Sequence, residues 1–258
     1  MRGRWVPLSL PRRMMADAMY FALGVPSVVV QRRLALAPLV DVRKAAGRSV
    51  PWSAIVTKAY AITANEFPEL RRVYLKLPIP HFYEYPASIA SITIEREHEG
   101  ERYLVGCQIK DPAALPLPEI GRRIMHVREA PVAELRHFRR ALAVARLPWP
   151  LRRLLWWLAL NIGRQRANQF GTFGMSAIPE AGVEVLQPRT VWTSFIAYGY
   201  GSLNDDGKLT VTITWDHRAF EAATAGRILA RLEAVLNGPI ADELRALRPQ
   251  ESVMRNPS

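Results

Sequence analysis

Cysteine is almost absent: Cys107 stands alone among 258 residues, which excludes a disulfide framework and any cysteine-based metal cluster. Long apolar runs are missing as well. None reaches the roughly 18 residues of a membrane-spanning helix, and the opening MRGRWVPLSLPRRMM lacks the uninterrupted apolar core of a secretory signal. No Gly/Ser linker or change of composition divides the chain, so residues 1–258 read as one domain. There is no phosphate-cradling glycine loop, no dinucleotide fingerprint and no internal repeat. His81, His98, His126 and His137 are scattered without an i, i+4 pair, so no metal site is expected. A reducing, cytoplasmic setting fits.

Acid is scarce relative to base: 35 Lys and Arg face 23 Asp and Glu, a formal net charge of +12. Most of that charge is arginine spread along the chain, which a GC-rich genome alone would produce. The sharper expectation is an anionic partner: acidic lipid head groups, coenzyme A phosphates or an acidic carrier protein. Nucleic acid is not expected, because no basic block, zinc-finger spacing or aromatic RNA-binding signature accompanies the charge.

What is present is a strand-and-helix alternation of α/β or α+β type. Arg12–Leu23 reads as a helix, Val25–Val30 as a strand, and Ser49-Val50-Pro51 as a helix start with serine as cap. Arg72–Leu77 reads as a strand, followed by the Pro-punctuated loop LPIPHFYEYP. Ile89–Glu95 and Tyr103–Ile109 form a hairpin pattern. Pro118 and Pro131 open two helices, and Thr190–Tyr198 is aromatic and β-branched.

The densest signal is KLTVTITWDHRAFEAATAGRILARLEAVL, Lys208 to Leu236. Leu209, Val211, Ile213 and Trp215 alternate with polar residues, the period of a half-buried strand. The strand delivers Asp216-His217-Arg218. A helix follows Glu221, with Asn237-Gly238-Pro239 as its expected stop. A histidine between rigid strand and rigid helix can be aimed for general-base work, although such a residue is more often a structural hydrogen-bonder. Upstream, FGTFGMSAIPEAGVEVLQP places Ser176 in a glycine-punctuated segment after a short strand. It is not a nucleophile elbow, which needs glycine two positions either side of the serine.

Together these segments resemble the catalytic domain of the 2-oxo acid dehydrogenase acyltransferases (dihydrolipoamide acyltransferases), whose fold is chloramphenicol acetyltransferase-like. TWDHRAFEAATAGRIL is similar to the family signature D-H-R-x-x-D-G-A, and GTFGMSAIPEAGVEVLQP to its G-T-F-x-x-S segment. The resemblance implies a mixed, largely antiparallel sheet flanked by helices, and a homotrimer with active sites between subunits. It implies His217 as general base, Ser176 as oxyanion donor and Glu221 as an organising residue, with Thr172, Asp216 and Arg218 binding substrate. The reaction implied is acyl transfer from an acyl thioester, on coenzyme A or an acyl carrier protein, to a hydroxyl, amine or thiol. No permanently bound cofactor is implied. The signature Asp-Gly is Glu221-Ala222 here, so an inactive homologue serving as trimeric scaffold or lipid-binding subunit is the alternative. The lipoyl-bearing and subunit-binding modules of the family are not found in this sequence.

One stretch falls outside the family pattern: ARLPWPLRRLLWWLALNIGRQR, Ala145 to Arg166. Leu151, Leu154, Leu155, Leu158 and Ile162 share one helical stripe. Trp156, Trp157 and Leu160 make most of the other side apolar. A core or trimer-interface helix is one reading. An interfacial helix on the inner membrane surface is the second, with Trp149, Trp156 and Trp157 at head-group depth and Arg152 and Arg153 on anionic lipid. A cover for a long acyl chain is the third.

Overall fold

The computed structural model describes residues 1–46, 50–178, 188–200, 203 and 207–247. The helices are α1 (Leu10–Ala22), α2 (Ala37–Ala45), α3 (Trp52–Glu66), α4 (Leu117–Glu129), α5 (Arg136–Ala145), α6 (Trp149–Asn161), α7 (Gly163–Phe170), α8 (Ala222–Val235) and α9 (Ala241–Ala246). The strands are β1 (Ser27–Ala35), β2 (Arg72–Leu75), β3 (His81–Glu84), β4 (Ile89–His98), β5 (Glu101–Lys110), β6 (Phe173–Ile178), β7 (Ser194–Gly199) and β8 (Lys208–Asp216).

Six strands make the main sheet in the order β1-β8-β7-β6-β4-β5, and β2 pairs with β3 in a separate ribbon. The β1–β8, β8–β7 and β4–β5 pairs are antiparallel, while β4–β6 and β6–β7 are parallel. The expected mixed, mostly antiparallel sheet with helices is therefore the observed one.

Side-chain alternation gives the sheet two chemically different faces. Leu34, Ile92, Phe173, Met175, Ile196, Ile213 and Trp215 point to one side and form a continuous core with Ile55 and Tyr60 of α3 and with Ile228, Leu229 and Leu232 of α8. The opposite face carries many small and polar residues, with Val29, Phe195 and Leu104 among them. One cross-strand row runs Gln31, Thr212, Ala197, Ser176, Thr93, Gly106.

Two glycines permit this close assembly. At Gly171, φ is +81° and an added Cβ would sit 2.7 Å from the Ile89 carbonyl oxygen, so the turn into β6 needs glycine there. At Gly174 a Cβ would meet the Phe195 ring at 2.4 Å.

Several boundaries differ from the sequence reading. The expected cap Ser49 lies outside the described residues. Asn237-Gly238-Pro239 does not stop α8: a π-turn over Leu236–Ile240 absorbs Pro239 and carries the chain into α9. A wider turn tolerates the missing proline N–H that would break an α-helix at that point. The segment HFYE, expected as loop, is strand β3. The helix expected to open at Pro131 is a 3₁₀ turn, Val132–Glu134, followed by α5.

Candidate active site

The strand β8 lies inside the sheet, flanked by the edge strand β1 and by β7, so its C-terminal end is firmly placed. Asp216 is 2% exposed and its backbone N–H donates to the Thr193 carbonyl at 2.8 Å. Its carboxylate takes three bonds from Arg218: from the backbone N–H (3.0 Å), from Nε (2.8 Å) and from Nη2 (2.6 Å). The Ala219 N–H donates to the Asp216 carbonyl at 2.8 Å, which closes a turn with His217 near its apex. Arg218 also lies over the Tyr74 ring at 4.3 Å. Asp216 and Arg218, expected to touch substrate, are thus bound to each other. Their evident work is to fix the turn that presents His217.

His217 is held at both ends. Its backbone N–H donates to the Pro26 carbonyl at 2.9 Å, and Nδ1 lies 3.3 Å from the Phe220 carbonyl oxygen. A carbonyl can only accept, so that contact places the proton of a neutral ring on Nδ1 and leaves the Nε2 lone pair free. Nε2 is 3.7 Å from Glu221 Oε2, too far for a hydrogen bond. The imidazole is 44% exposed and the Glu221 side chain 79%. The Phe220 carbonyl is itself anchored by Trp215 Nε1 at 2.7 Å, with the two rings stacked at 5.3 Å.

Glu221 is the N-cap of α8, in extended backbone geometry, and its side chain makes no capping bond. Ala222, at the signature's glycine position, opens the helix. The non-glycine residues with positive φ among those described are Glu99 and Asp111. The backbone here therefore does not require glycine.

Ser176 sits within β6 rather than after it, paired with Thr93 on one side and Ala197 on the other. It is half-buried, and among the described residues its hydroxyl makes no hydrogen bond. Residues 179–187, the rest of its segment, lie outside the described residues. The pairing register connects Ser176 through Ala197 to Thr212, five residues before His217. At about 3.3 Å per residue and about 4.8 Å per strand, the two are separated by about 16 Å along the strands and about 10 Å across them. One chain does not bring them together.

Thr172 has a structural place. It is 4% exposed, and its hydroxyl accepts from the Ile89 N–H at 2.9 Å and reaches the Ile89 carbonyl at 3.3 Å, stitching β4 to the start of β6.

The tryptophan-rich segment is two helices, α6 and α7, broken at Ile162. The first turns its leucine stripe outward, against the core reading and in keeping with the subunit-interface and interfacial ones. Arg152 (8% exposed) and Leu160 (7%) face inward, with Trp156 half-buried between them, an i, i+4, i+8 stripe. Trp156 stacks on Phe21 at 6.0 Å and lies 5.1 Å from Phe170. Arg152 and Arg153 are not free for lipid: Arg152 pairs with Asp17 Oδ2 and Arg153 Nε lies 3.0 Å from Oδ1. Arg153 also covers the Tyr20 ring at 3.7 Å. Asp17 was missed, yet it is the lone acid among the first 40 residues, a signal that it answers a buried cation.

Elsewhere, a cleft of about 410 Å³ lies between β5, α4 and α5, lined in part by Cys107, Arg123, His126 and His137, apart from both His217 and Ser176. Burial pushes the Cys107 thiol up to about 12. His137 is shifted down by burial and by the neighbouring Arg140 and Arg136. No group of His, Cys, Asp and Glu among the described residues is arranged to hold a metal.

No family model matches the chain, and no curated protein matches it by sequence. Solved structures do match. A probable dihydrolipoamide acetyltransferase from Listeria monocytogenes is 16% identical over 91% of this chain and 94% of that one, with a TM-score of 0.62. The dihydrolipoamide acetyltransferase of Azotobacter vinelandii is 15% identical over 95% and 94%, with a TM-score of 0.65. A truncated catalytic core of the 2-oxoacid dehydrogenase complex from Thermoplasma acidophilum is 18% identical over 92% and 99%, with a TM-score of 0.63. The chain therefore has the fold of the dihydrolipoamide acyltransferase catalytic cores. The Azotobacter structure was determined to probe a serine, a histidine and an asparagine in catalysis, the last two numbered four apart.

Proposed function

We propose that this protein is an acyltransferase that moves an acyl group from a thioester donor, coenzyme A or an acyl carrier protein, to a hydroxyl, amine or thiol acceptor. The observation that carries the reading is the aim of His217: Nδ1 set toward a carbonyl, Nε2 free and half-exposed, on a turn clamped by the Asp216–Arg218 pair. Nε2 takes the proton of the acceptor as it attacks the thioester carbonyl. The tetrahedral oxyanion collapses to expel the donor thiolate, which recovers that proton. A hydroxyl donating to the oxyanion is worth on the order of 3 kcal/mol, and Ser176 is the candidate.

Because one chain separates Ser176 from His217, the reading requires a second copy to bring its own Ser176 to this His217. A cyclic homotrimer does so at three equivalent interfaces. Two features support this reading over an inactive scaffold: the free Nε2, and the helical backbone at Ala222, which removes the need for glycine.

The test is thiol release from a panel of short- and long-chain acyl-coenzyme A donors, with and without a membrane lipid extract as acceptor, with wild type and His217→Ala compared. Turnover that falls by about 10² or more in the variant supports the base. Equal rates in the two proteins would refute it.

A further inference from the structure

The leucine stripe, which the sequence leaves open between core, subunit interface and lipid, points outward. Leu151 (45% exposed), Leu154 (50%), Leu155 (36%), Trp157 (42%), Leu158 (37%) and Ile162 (48%) all lie on the outer side of α6, and Trp149 at its start is 61% exposed. The apolar surface continues onto α1: Arg153 lies over Tyr20 at 3.7 Å and 6.0 Å from the Trp149 ring, and Tyr20 and Leu23 are 58% and 70% exposed. An apolar face this long is not left to water without a partner.

Charge identifies the partner. From Arg136 to Ile178 the sequence holds eight arginines and not one Asp or Glu. The carboxylate that α1 contributes, Asp17, is buried and consumed by Arg152 and Arg153. Arg146 and Arg164, at the two approaches to α6, are exposed. A second copy meeting this face with its own equivalent face would bring cationic surface against cationic surface. An anionic bilayer offers both complements at once: acyl chains for the leucines and head-group phosphates for the arginines. The helix is 13 residues long, and no described helix is long and apolar enough to cross a membrane, so α6 would lie in the interface plane.

We infer that the outer face of α6, extended by Tyr20 and Leu23 of α1, docks the protein on an anionic lipid surface. Arg146 and Arg164 engage the head groups, while Trp149, Leu154, Trp157 and Leu158 enter the acyl boundary. Arg152 and Arg153 serve from behind, by fixing α6 to α1. The face adjoins the candidate site. The Pro26 carbonyl that holds the His217 N–H lies three residues past Leu23, and Val191, packed with Ala22 and Leu160, is two residues before Thr193, which bonds Asp216. Docking is independent of the acyl-transfer reading and is measured without any acyl donor.

The experiment is co-sedimentation of the full chain with phosphatidylcholine vesicles and with vesicles of equal phosphatidylcholine and phosphatidylglycerol, at low and high salt. Wild type should pellet with the anionic vesicles, less so at high salt, with a blue shift of tryptophan fluorescence. Leu154→Glu/Trp157→Glu, both exposed positions, should bind at least about tenfold more weakly while keeping the native circular dichroism spectrum. Arg146→Glu/Arg164→Glu should lose the preference for anionic lipid. Wild type that stays in the supernatant at low salt overturns the inference. So does binding that the Leu154→Glu/Trp157→Glu variant retains. Self-association abolished by that variant, without lipid binding, would assign the face to a second copy and equally overturn it.

Discussion

Asp17 is the point at which the α1–α6 arrangement is most open to attack. It is 0% exposed and faces two guanidinium groups whose side chains are 10% and 20% exposed. Asp17→Asn keeps the shape and removes the charge, leaving Arg152 buried beside an amide. Breaking a buried pair from one side costs about 3–5 kcal/mol, because the remaining charge is uncompensated. Arg153 retains its partial exposure and its ring contact with Tyr20, so the lower end, about 3 kcal/mol, is expected. For a chain of this size that is a fall of about 6–12 °C in the unfolding midpoint. The assay is thermal and urea unfolding followed by far-ultraviolet circular dichroism. A second arm adds Arg152→Met, which replaces the stranded charge by an apolar chain of similar length. The double variant should recover about 1.5 kcal/mol or more relative to the sum of the single changes. An Asp17→Asn protein within about 1 kcal/mol of wild type would refute the reasoning. So would strict additivity with Arg152→Met.

Mixing inactive His217→Ala and Ser176→Ala chains tests the shared site. If each site draws histidine and serine from different copies, random equal mixing restores about a quarter of wild-type turnover; none would mean that the two residues do not cooperate across copies. Ser176→Ala alone should lower turnover by about 10²-fold, with thiol release as the readout, and an unchanged rate removes it as oxyanion donor. Ala222→Gly should cost about 0.5–1 kcal/mol in urea unfolding without raising activity, since the position is helical; a gain in activity would show that the glycine is missed. Cys107 should resist a thiol reagent in the native protein and react on unfolding. Its folded value is raised to about 12, so the stability that it contributes is complete below the ordinary thiol range and lost as pH rises from about 9 towards 12. Rapid native-state labelling at pH 8 would contradict its burial.

The parts of the fold legible in the sequence are those in which one physical period dominates. The alternation from Leu209 to Trp215 and the helical spacing after Glu221 place His217 on a strand-to-helix turn, where it is found. The short helix α2, Ala37–Ala45, escaped because its apolar residues Leu39, Val40 and Val42 do not mark a clear helical face. Strand β3 escaped because the flanking Pro78, Pro80 and Pro86 and its own exposed aromatics read as loop, and only its pairing with β2 makes it a strand. Asp216, Arg218 and Thr172 were legible as polar residues, but the neighbours that bond them in the fold were not. Their partners are Arg218, Asp216 and Ile89, and residue type alone does not distinguish a group reserved for substrate from one satisfied by its neighbours.

The outward apolar face of α6 has the same origin and a sharper consequence. Hydrophobic pattern tells which faces of a helix are apolar, and it assumes that the more apolar face turns inward. That assumption fails when a buried carboxylate competes. Asp17 on α1 needs cations, and Arg152 and Arg153 are the residues of α6 that reach it. Once that pair is buried, helical geometry fixes the rest. Arg152, Trp156 and Leu160 must face the protein, and the leucine stripe a third of a turn or more away must face out. The exposed apolar surface is therefore imposed by a specific electrostatic contact and is not a failure of packing. A protein that spends two arginines and its first acid to turn leucine and tryptophan toward the outside has built a surface for something other than water.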